Sequence, residues 1–325
     1  MLVLVLNPGS SSLKSSVVET AELEAPAPRE AGGEGSAGGE GSAGGEPPAP
    51  LASMNLDWGV DATAQTDQAD DIRGLLSRYE ESGIATASLG AIGYRVVHGG
   101  TRFREPVLIT PDVVAAVDEL RSLAPLHNGI AVATMNAGLK AAPQLPQVAV
   151  FDTAFHATLS EDAFRYPVPE RWYREWGVRR YGFHGMSVAW SAERAAGMLA
   201  APEPAAPAAT APAATAPAAT APDLGLVVAH LGSGCSVTAV HRGRSVATSM
   251  GLTPLEGLMM GTRSGSIDPG ILFALARDGR LSVDEMAEEL DHASGLVGVS
   301  GRTSDVRDLL GLEASGDEAA TLALA

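Results

Sequence analysis

Leu2-Val3-Leu4-Val5-Leu6, then Asn7-Pro8-Gly9-Ser10-Ser11-Ser12, then Leu13-Lys14-Ser15-Ser16-Val17-Val18: two aliphatic runs flank a break rich in Pro, Gly and Ser. This pattern predicts a β-hairpin with a polar tip. Such a tip directs hydroxyl and backbone N–H groups outward from a rigid sheet. Ser10, Ser11 and Ser12 can donate to phosphate oxygens, and Lys14 can supply a point charge. Asn7 can offer its carbonyl oxygen to a hydrated Mg²⁺ ion. An ordinary Ser-rich hairpin satisfies the same pattern, so the rest of the chain has to decide.

With 325 residues the chain has room for two domains, and 45% hydrophobic with 19% charged residues is the composition of a globular protein. Its formal net charge of -17 excludes polyanionic partners such as nucleic acid or an anionic membrane surface. An anionic substrate must therefore meet a local cluster of Arg and Lys. One cysteine, Cys235, excludes an internal disulfide and fits a reducing compartment. Residues 2–6 are too short for a signal-peptide core and lack a basic start, and no stretch reaches transmembrane length. A cytoplasmic protein is expected.

Two low-complexity segments interrupt the chain. Residues 32–46 repeat GGEGSA, and residues 207–221 repeat PAATA. Both predict surface linkers, because Gly, Ser, Ala and Pro bury too little apolar area to fold. Between them, strands are expected at 51–60, 91–97 and 148–151, and helices at 70–82, 111–123 and 130–141. Asp152 follows the strand 148–151, and polar groups at strand carboxyl ends lie at the binding crevice of open α/β sheets. After the second linker the opening pattern recurs: strand 224–229, the turn His230-Leu231-Gly232-Ser233-Gly234, strand 237–241. Two halves that each open on strand, small-residue turn and strand predict a duplicated domain with a nucleotide between the copies. Helices at 271–277 and 282–293 and one final helix complete the expectation.

Taken together, the fragments NPGSSSLK at 7–14, YRVVHGG at 94–100, LAPLHNG at 123–129, FDTAFH at 151–156, RRYGFHG at 179–185, HLGSG at 230–234, SMGLTPLEGLMMGTRSGSIDPG at 249–270 and SGLVGVSG at 294–301 resemble the acetate kinases. The resemblance implies an α/β protein of two duplicated actin/Hsp70/ribonuclease H-like domains with a nucleotide cleft between them, at 1–153 and 154–325. It implies transfer of the ATP γ-phosphoryl group to acetate, with propionate, butyrate or an inactive protein as alternatives, and a homodimer. It also implies roles for individual residues. Asn7 would hold Mg²⁺, and Ser10, Ser12 and Lys14 would contact ATP. Arg95 would bind the substrate carboxylate. Val97, Leu126, Phe183 and Pro254 would line the methyl pocket, beside His127. Asp152, His184 and Arg263 would be catalytic. His230, Leu231, Gly232, Ser233 and Gly234 would form the phosphate turn, and Asp305, Val306 and Arg307 would lie near the adenosine.

The chemistry supports these roles independently. Phosphoryl transfer to a carboxylate spreads negative charge over equatorial oxygens, so positioning and cations do most of the catalysis. A carboxylate is already ionised at neutral pH, its reference pKa being roughly 4. Asp152 is therefore expected to orient an arginine or a Mg²⁺-bound water rather than to remove a proton. His98 and His156 read as core or strand-end histidines, Asp268-Pro269 as a turn, and Met259-Met260 as core. His184, between glycines after an Arg pair, reads as functional, and Lys14 and Arg263 read as ligand contacts rather than solvated charges. Zinc is excluded by the scattered histidines and single cysteine. Departures from the family pattern are Ser233 for Asn, Ser266 and Ala247 for Asp, and Val188 for His. The resemblance implies a continuation beyond Ala325 with a metal-ligating Glu, so a truncated chain is expected.

Overall fold

The computed structural model describes residues 1–9, 12–20, 49–58, 68–200 and 223–325. Ser10, Ser11 and both repeat segments lie outside the described residues, as do residues 59–60 of the strand expected at 51–60. The chain divides into two units: the described residues of Met1–Asp152 and Glu193–Pro212, and those of Thr153–Ala192 and Ala213–Ala325.

In the first unit the opening pattern forms strands β1 (Leu2–Pro8) and β2 (Ser12–Glu19), paired antiparallel with Asn7 opposite Lys14. Period-2 alternation decides the face: Leu4, Leu6, Leu13 and Val17 are fully buried on one side. Strand β3 (Ala52–Asp57) pairs with β2. After α1 (Gln68–Glu81), β4 (Leu89–Val96) returns parallel to β1. The short β5 (Val107–Leu108), α2 (Pro111–Glu119) and α3 (Pro125–Ala141) precede β6 (Gln147–Phe151). The sheet order is β3-β2-β1-β4-β6-β5, with β1, β4 and β6 parallel. An antiparallel meander continued by parallel strands is the ribonuclease H-like arrangement expected of this half.

Helix α3 packs against α1, β1 and β4. It begins at Pro125, not Ile130, because proline is preorganised for the first helical position. Asn128 thereby lands in its first turn. The helix also approaches the sheet closely at Gly138. Gln147 links them, accepting from the Tyr94 hydroxyl at 2.7 Å and donating to the Gly138 carbonyl at 3.0 Å. A Cβ on Gly138 would lie 1.7 Å from the Tyr94 oxygen. Helix propensity alone favours Gly138→Ala by about 1 kcal/mol, whereas overpacking costs about 1–3 kcal/mol. Because backbone and a buried ring must both yield, overpacking wins, and urea unfolding of Gly138→Ala is expected to show a net loss of about 2 kcal/mol.

In the second unit, short helices α4 (Glu161–Phe164) and α5 (Glu170–Trp176) lead to α6 (Gly185–Ala200), whose first half belongs here. Strands β7 (Gly225–Leu231), β8 (Cys235–His241) and β9 (Arg244–Thr248) form an antiparallel meander in that order. It repeats the β1-β2-β3 meander of the first unit. Val188, Ala192 and Val240 are its buried core on one face, with Phe155, Leu226 and Val228 packed around them. Val188, one of the departures from the family pattern, is thus a core residue.

Helices α7 (Pro269–Arg277), α8 (Val283–His292), α9 (Gly295–Ser300), α10 (Val306–Ala314) and α11 (Glu318–Leu324) follow. Asp268-Pro269, read as a turn, is instead the start of α7: Asp268 caps it by accepting from the Gly270 N–H, and Pro269 is its first residue. Three further sequence expectations are corrected. The helix expected at 111–123 ends at Glu119 and continues as a 3₁₀ turn, Arg121–Leu123. The single final helix is two, split where Gly316 adopts φ 89° and Asp317 caps the next helix. Met260 is buried, but Met259 is 41% exposed.

Candidate active site

In the first unit the parallel strands β1, β4 and β6 deliver Asn7, Arg95 and Asp152 to one end of the sheet. Asn7 is the penultimate residue of β1, Arg95 the penultimate residue of β4, and Asp152 directly follows β6. Tyr94 faces the core, so pleating turns Arg95 to the other face. Asp152 is 2% exposed and its N–H donates to the Val96 carbonyl at 2.9 Å. Its carboxylate accepts from Arg95 Nε at 3.2 Å and Nη2 at 2.6 Å, and Arg95 Nη1 donates to Asn7 Oδ1 at 3.1 Å. Burial opposes the charge on Arg95, while the adjacent carboxylate and its hydrogen bonds hold the guanidinium pKa above its ordinary value.

A guanidinium has five N–H groups in a planar fork. Asp152 takes the side formed by Nε and Nη2, and Asn7 takes one N–H of Nη1. One N–H each from Nη1 and Nη2 remains for a ligand. That pair matches a carboxylate in bidentate geometry.

Other predicted residues of this unit surround the same strand ends. Lys14, opposite Asn7, is exposed, and Ser12 is half-buried, its carbonyl accepting from Gly9 N–H at 2.8 Å. Val97 is 7% exposed. His127 is in the first turn of α3, half-buried; the Leu126 side chain lies outside the described residues. His98 is a strand-end histidine, as expected. Asn128 imitates a neighbouring strand for it, accepting from the His98 N–H at 3.1 Å and donating to the His98 carbonyl at 3.0 Å. The Gly100 N–H donates to His98 Nδ1. Sequence reasoning missed Asn128 because its role depends on the early start of α3.

In the second unit the turn Gly232-Ser233-Gly234 joins β7 to β8, closed by the Gly232 N–H donating to the Gly234 carbonyl at 3.1 Å. His184 faces this turn. It sits just before α6 with φ 60°, a left-handed backbone that a residue with a Cβ rarely adopts and that concentrates at functional sites. The His184 and His230 rings stack with centroids 4.0 Å apart. Each is held by a serine: His184 Nδ1 by Ser236 Oγ at 2.9 Å, His230 Nδ1 by Ser187 Oγ at 3.0 Å. These two serines are further functional candidates. They were hidden because Ser236 meets His184 across 52 residues of sequence.

Arg263 reaches the same turn. A Cβ on Gly234 would lie 3.3 Å from Arg263 Nη1 and 3.6 Å from His184 Nε2, so the glycine keeps the space between two donors open. Arg263 Nη1 donates to the Pro254 carbonyl at 3.3 Å, and its Nε is 3.9 Å from Asp291. Burial lowers its pKa, partly offset by Asp291. The residue 248–256 loop carrying Pro254 is braced from behind. Arg180 donates to the carbonyls of Thr248, Ser249 and Met250 and pairs with Glu256 at 2.6 Å, while Tyr166 bonds Glu256 and accepts from the Leu252 N–H. Phe183 is 1% exposed, and Leu231 is 75% exposed.

Farther along, Asp305 is the N-cap of α10 and accepts from both the backbone and the guanidinium of Arg307. These bonds depress its carboxyl pKa to about 2. Arg307 lines a cavity of about 650 Å³ with Arg302, Thr303 and Asp308.

Among the described residues no His, Cys, Asp and Glu cluster could hold a metal by itself. Asn7 Oδ1 and the Asp152 carboxylate are hard oxygen donors side by side on Arg95. As hard oxygen donors they suit Mg²⁺. Also among the described residues, no helix is long and apolar enough to cross a membrane.

The chain is similar to known proteins. The family model described as the Acetokinase family matches residues 2–325. The acetate kinase of Deinococcus radiodurans is 45% identical over 100% of this chain and 74% of its own length. The acetate kinase of a Synechococcus strain is 43% identical over 99% of this chain and 76% of its own. Among solved structures, a propionate kinase from Francisella tularensis aligns with TM-score 0.77 at 34% identity, over 99% of this chain and 76% of that one. Porphyromonas gingivalis acetate kinase aligns with TM-score 0.75 at 32% identity, over 99% and 75%. The chain belongs to the acetokinase family.

Proposed function

We propose that the protein is an acetate kinase, transferring the γ-phosphoryl group of ATP reversibly to acetate to give acetyl phosphate and ADP. The observation that carries this is Arg95: Asp152 and Asn7 fix the guanidinium and leave one N–H each of Nη1 and Nη2 for a carboxylate. One acetate oxygen attacks the γ-phosphorus in line, and the bond to the β-γ bridging oxygen breaks, leaving on ADP. No proton need move, because acetate is ionised at neutral pH. Asp152 therefore acts by holding Arg95.

His184 Nε2 and Arg263 donate to the equatorial oxygens of the transferring group, where charge accumulates. The turn 232–234 offers backbone N–H groups to the phosphates, and Ser12 and Lys14 contact the nucleotide. Ser10 has the same assignment. Asn7 and Asp152 would hold a Mg²⁺ ion, which would supply charge neutralisation on the phosphates. The family resemblance assigns Val97, Leu126, Phe183 and Pro254, with His127, to the substrate methyl group, and the cavity at Arg307 is assigned to the adenosine. The single cysteine suits the cytoplasm, and family resemblance supports a homodimer.

Similarity to a propionate kinase favours a second reading, a longer acyl chain. Hydroxylamine trapping of acyl phosphate, with ATP, Mg²⁺ and in turn acetate, propionate and butyrate, separates the readings. Acetate is expected to give the highest kcat/KM. A higher value for propionate would transfer the assignment to that acid, and no product with any acid would exclude kinase activity in this chain.

A further inference from the structure

We propose that His156 is a positioning residue for His184, acting through the main-chain carbonyl of Phe183. This rests on the assignment of His184 to the transferring phosphoryl group. His156 is fully buried, in a 3₁₀ turn (Ala154–Thr158) that packs on β9. Its Nε2 lies 2.9 Å from the Phe183 carbonyl and its Nδ1 2.9 Å from Ser245 Oγ. A carbonyl can only accept, so Nε2 carries the hydrogen and donates. Thr158 also donates to the Ser245 carbonyl at 2.9 Å, so the turn that carries the ring is tied to β9 at two points.

What the ring holds is an unusual stretch of backbone. Gly182 has φ 76° and His184 φ 60°, on either side of Phe183. A Cβ on Gly182 would lie 2.7 Å from the His156 ring, so the chain can adopt this path against the ring only with glycine there. The Phe183 carbonyl belongs to the peptide unit that begins His184. Fixing that carbonyl fixes the plane from which His184 φ is measured, and thereby the direction of its side chain toward Ser236 and Gly234. Residues held in the left-handed region persist only where the surroundings over-determine them. His156 supplies that constraint. Without it His184 relaxes toward an ordinary backbone and its ring leaves the phosphate turn.

The test uses amide variants that keep one ring nitrogen each. Gln places its amide nitrogen near Nε2 and can still donate to Phe183, whereas Asn places its own near Nδ1 and cannot. His156→Asn is expected to lower kcat about 50-fold with the KM values for ATP and acetate within about threefold, the loss typical of misplaced catalytic groups. His156→Gln should recover to within about fivefold of wild type. Adding His156→Asn to His184→Ala should produce no further loss, because a positioning residue has nothing left to position. A multiplicative double mutant, or equal losses in Gln and Asn, overturns the proposal. Wild-type kcat in His184→Ala alone instead overturns the His184 assignment beneath it, and the proposal with it. If His156→Asn does not fold, Ser245→Ala replaces it, with an expected loss of about tenfold that must likewise vanish in the His184→Ala background.

Discussion

Replacing Arg263 by alanine is expected to lower kcat for acetyl phosphate formation about 1,000-fold, with the KM for ATP changing less than about fivefold. The guanidinium lies by the Gly234 turn beside His184 Nε2, the place proposed for the transferring phosphoryl group. A cation that interacts more strongly with the transition state than with bound ATP changes kcat and leaves KM nearly untouched. Arg263→Lys keeps the charge but loses the planar fork that holds both Pro254 and a phosphate oxygen, so it should recover only about tenfold. The fold should survive, since the residue makes one hydrogen bond to protein and a long approach to Asp291. Arg307→Ala is the contrasting variant. Its side chain is 89% exposed and paired with Asp305, so its removal should raise the KM for ATP without a comparable loss of kcat. A kcat that falls less than about tenfold in Arg263→Ala would remove Arg263 from the chemical step.

The parts of the molecule legible in the sequence are those fixed by local pattern. Alternation in residues 2–6 and 13–18 specified the hairpin and its buried face, because a one-residue slip would have put Leu4 and Leu6 in water. Asp152 could be selected because it stands at the end of an apolar run, and strand ends are where open sheets bind ligands, whereas Arg95 was marked only by the family resemblance of YRVVHGG. Their mutual ion pair was legible only as the expectation that Asp152 orients an arginine. The second hairpin was recognisable because it repeats the first.

What escaped depends on distance in sequence. Ser187 and Ser236 look like any serine until α6 and β8 bring each to the Nδ1 of one member of a stacked histidine pair. The Arg180–Glu256–Tyr166 brace has the same character: three residues from separate segments share one loop, and no periodicity marks them. His156 was read correctly as a satisfied core histidine, yet the identity of the carbonyl it satisfies is what gives it significance. Breaks inside helical runs were also obscured, since Gly316 sits in a run whose apolar spacing continues on both sides.

Asp152→Ala is expected to reduce kcat/KM for acetate about 300-fold, whereas Asp152→Asn recovers to within about 20-fold of wild type. The two variants separate the roles open to a buried carboxylate at a phosphoryl-transfer site. A general base must accept a proton, which an amide cannot do, so both substitutions would then be equally damaging. An orienting residue needs an acceptor oxygen for Arg95, and asparagine retains one for the strong Nη2 contact now at 2.6 Å. With alanine, Arg95 keeps only its bond to Asn7 and is free to turn away, so the loss should appear chiefly in the KM for acetate. Stability gives a second reading of the same contact. Breaking a fully buried pair typically costs about 3–5 kcal/mol, and because the Arg95 side chain is 33% exposed, water screens part of it, bringing the expected loss in Asp152→Ala to about 2 kcal/mol. Arg95→Ala would strand the carboxylate instead. Asp152 is 2% exposed, so that variant should be the less stable of the two in urea unfolding. Equal activity losses in the alanine and asparagine variants would transfer Asp152 from orienting its arginine to taking part in proton transfer.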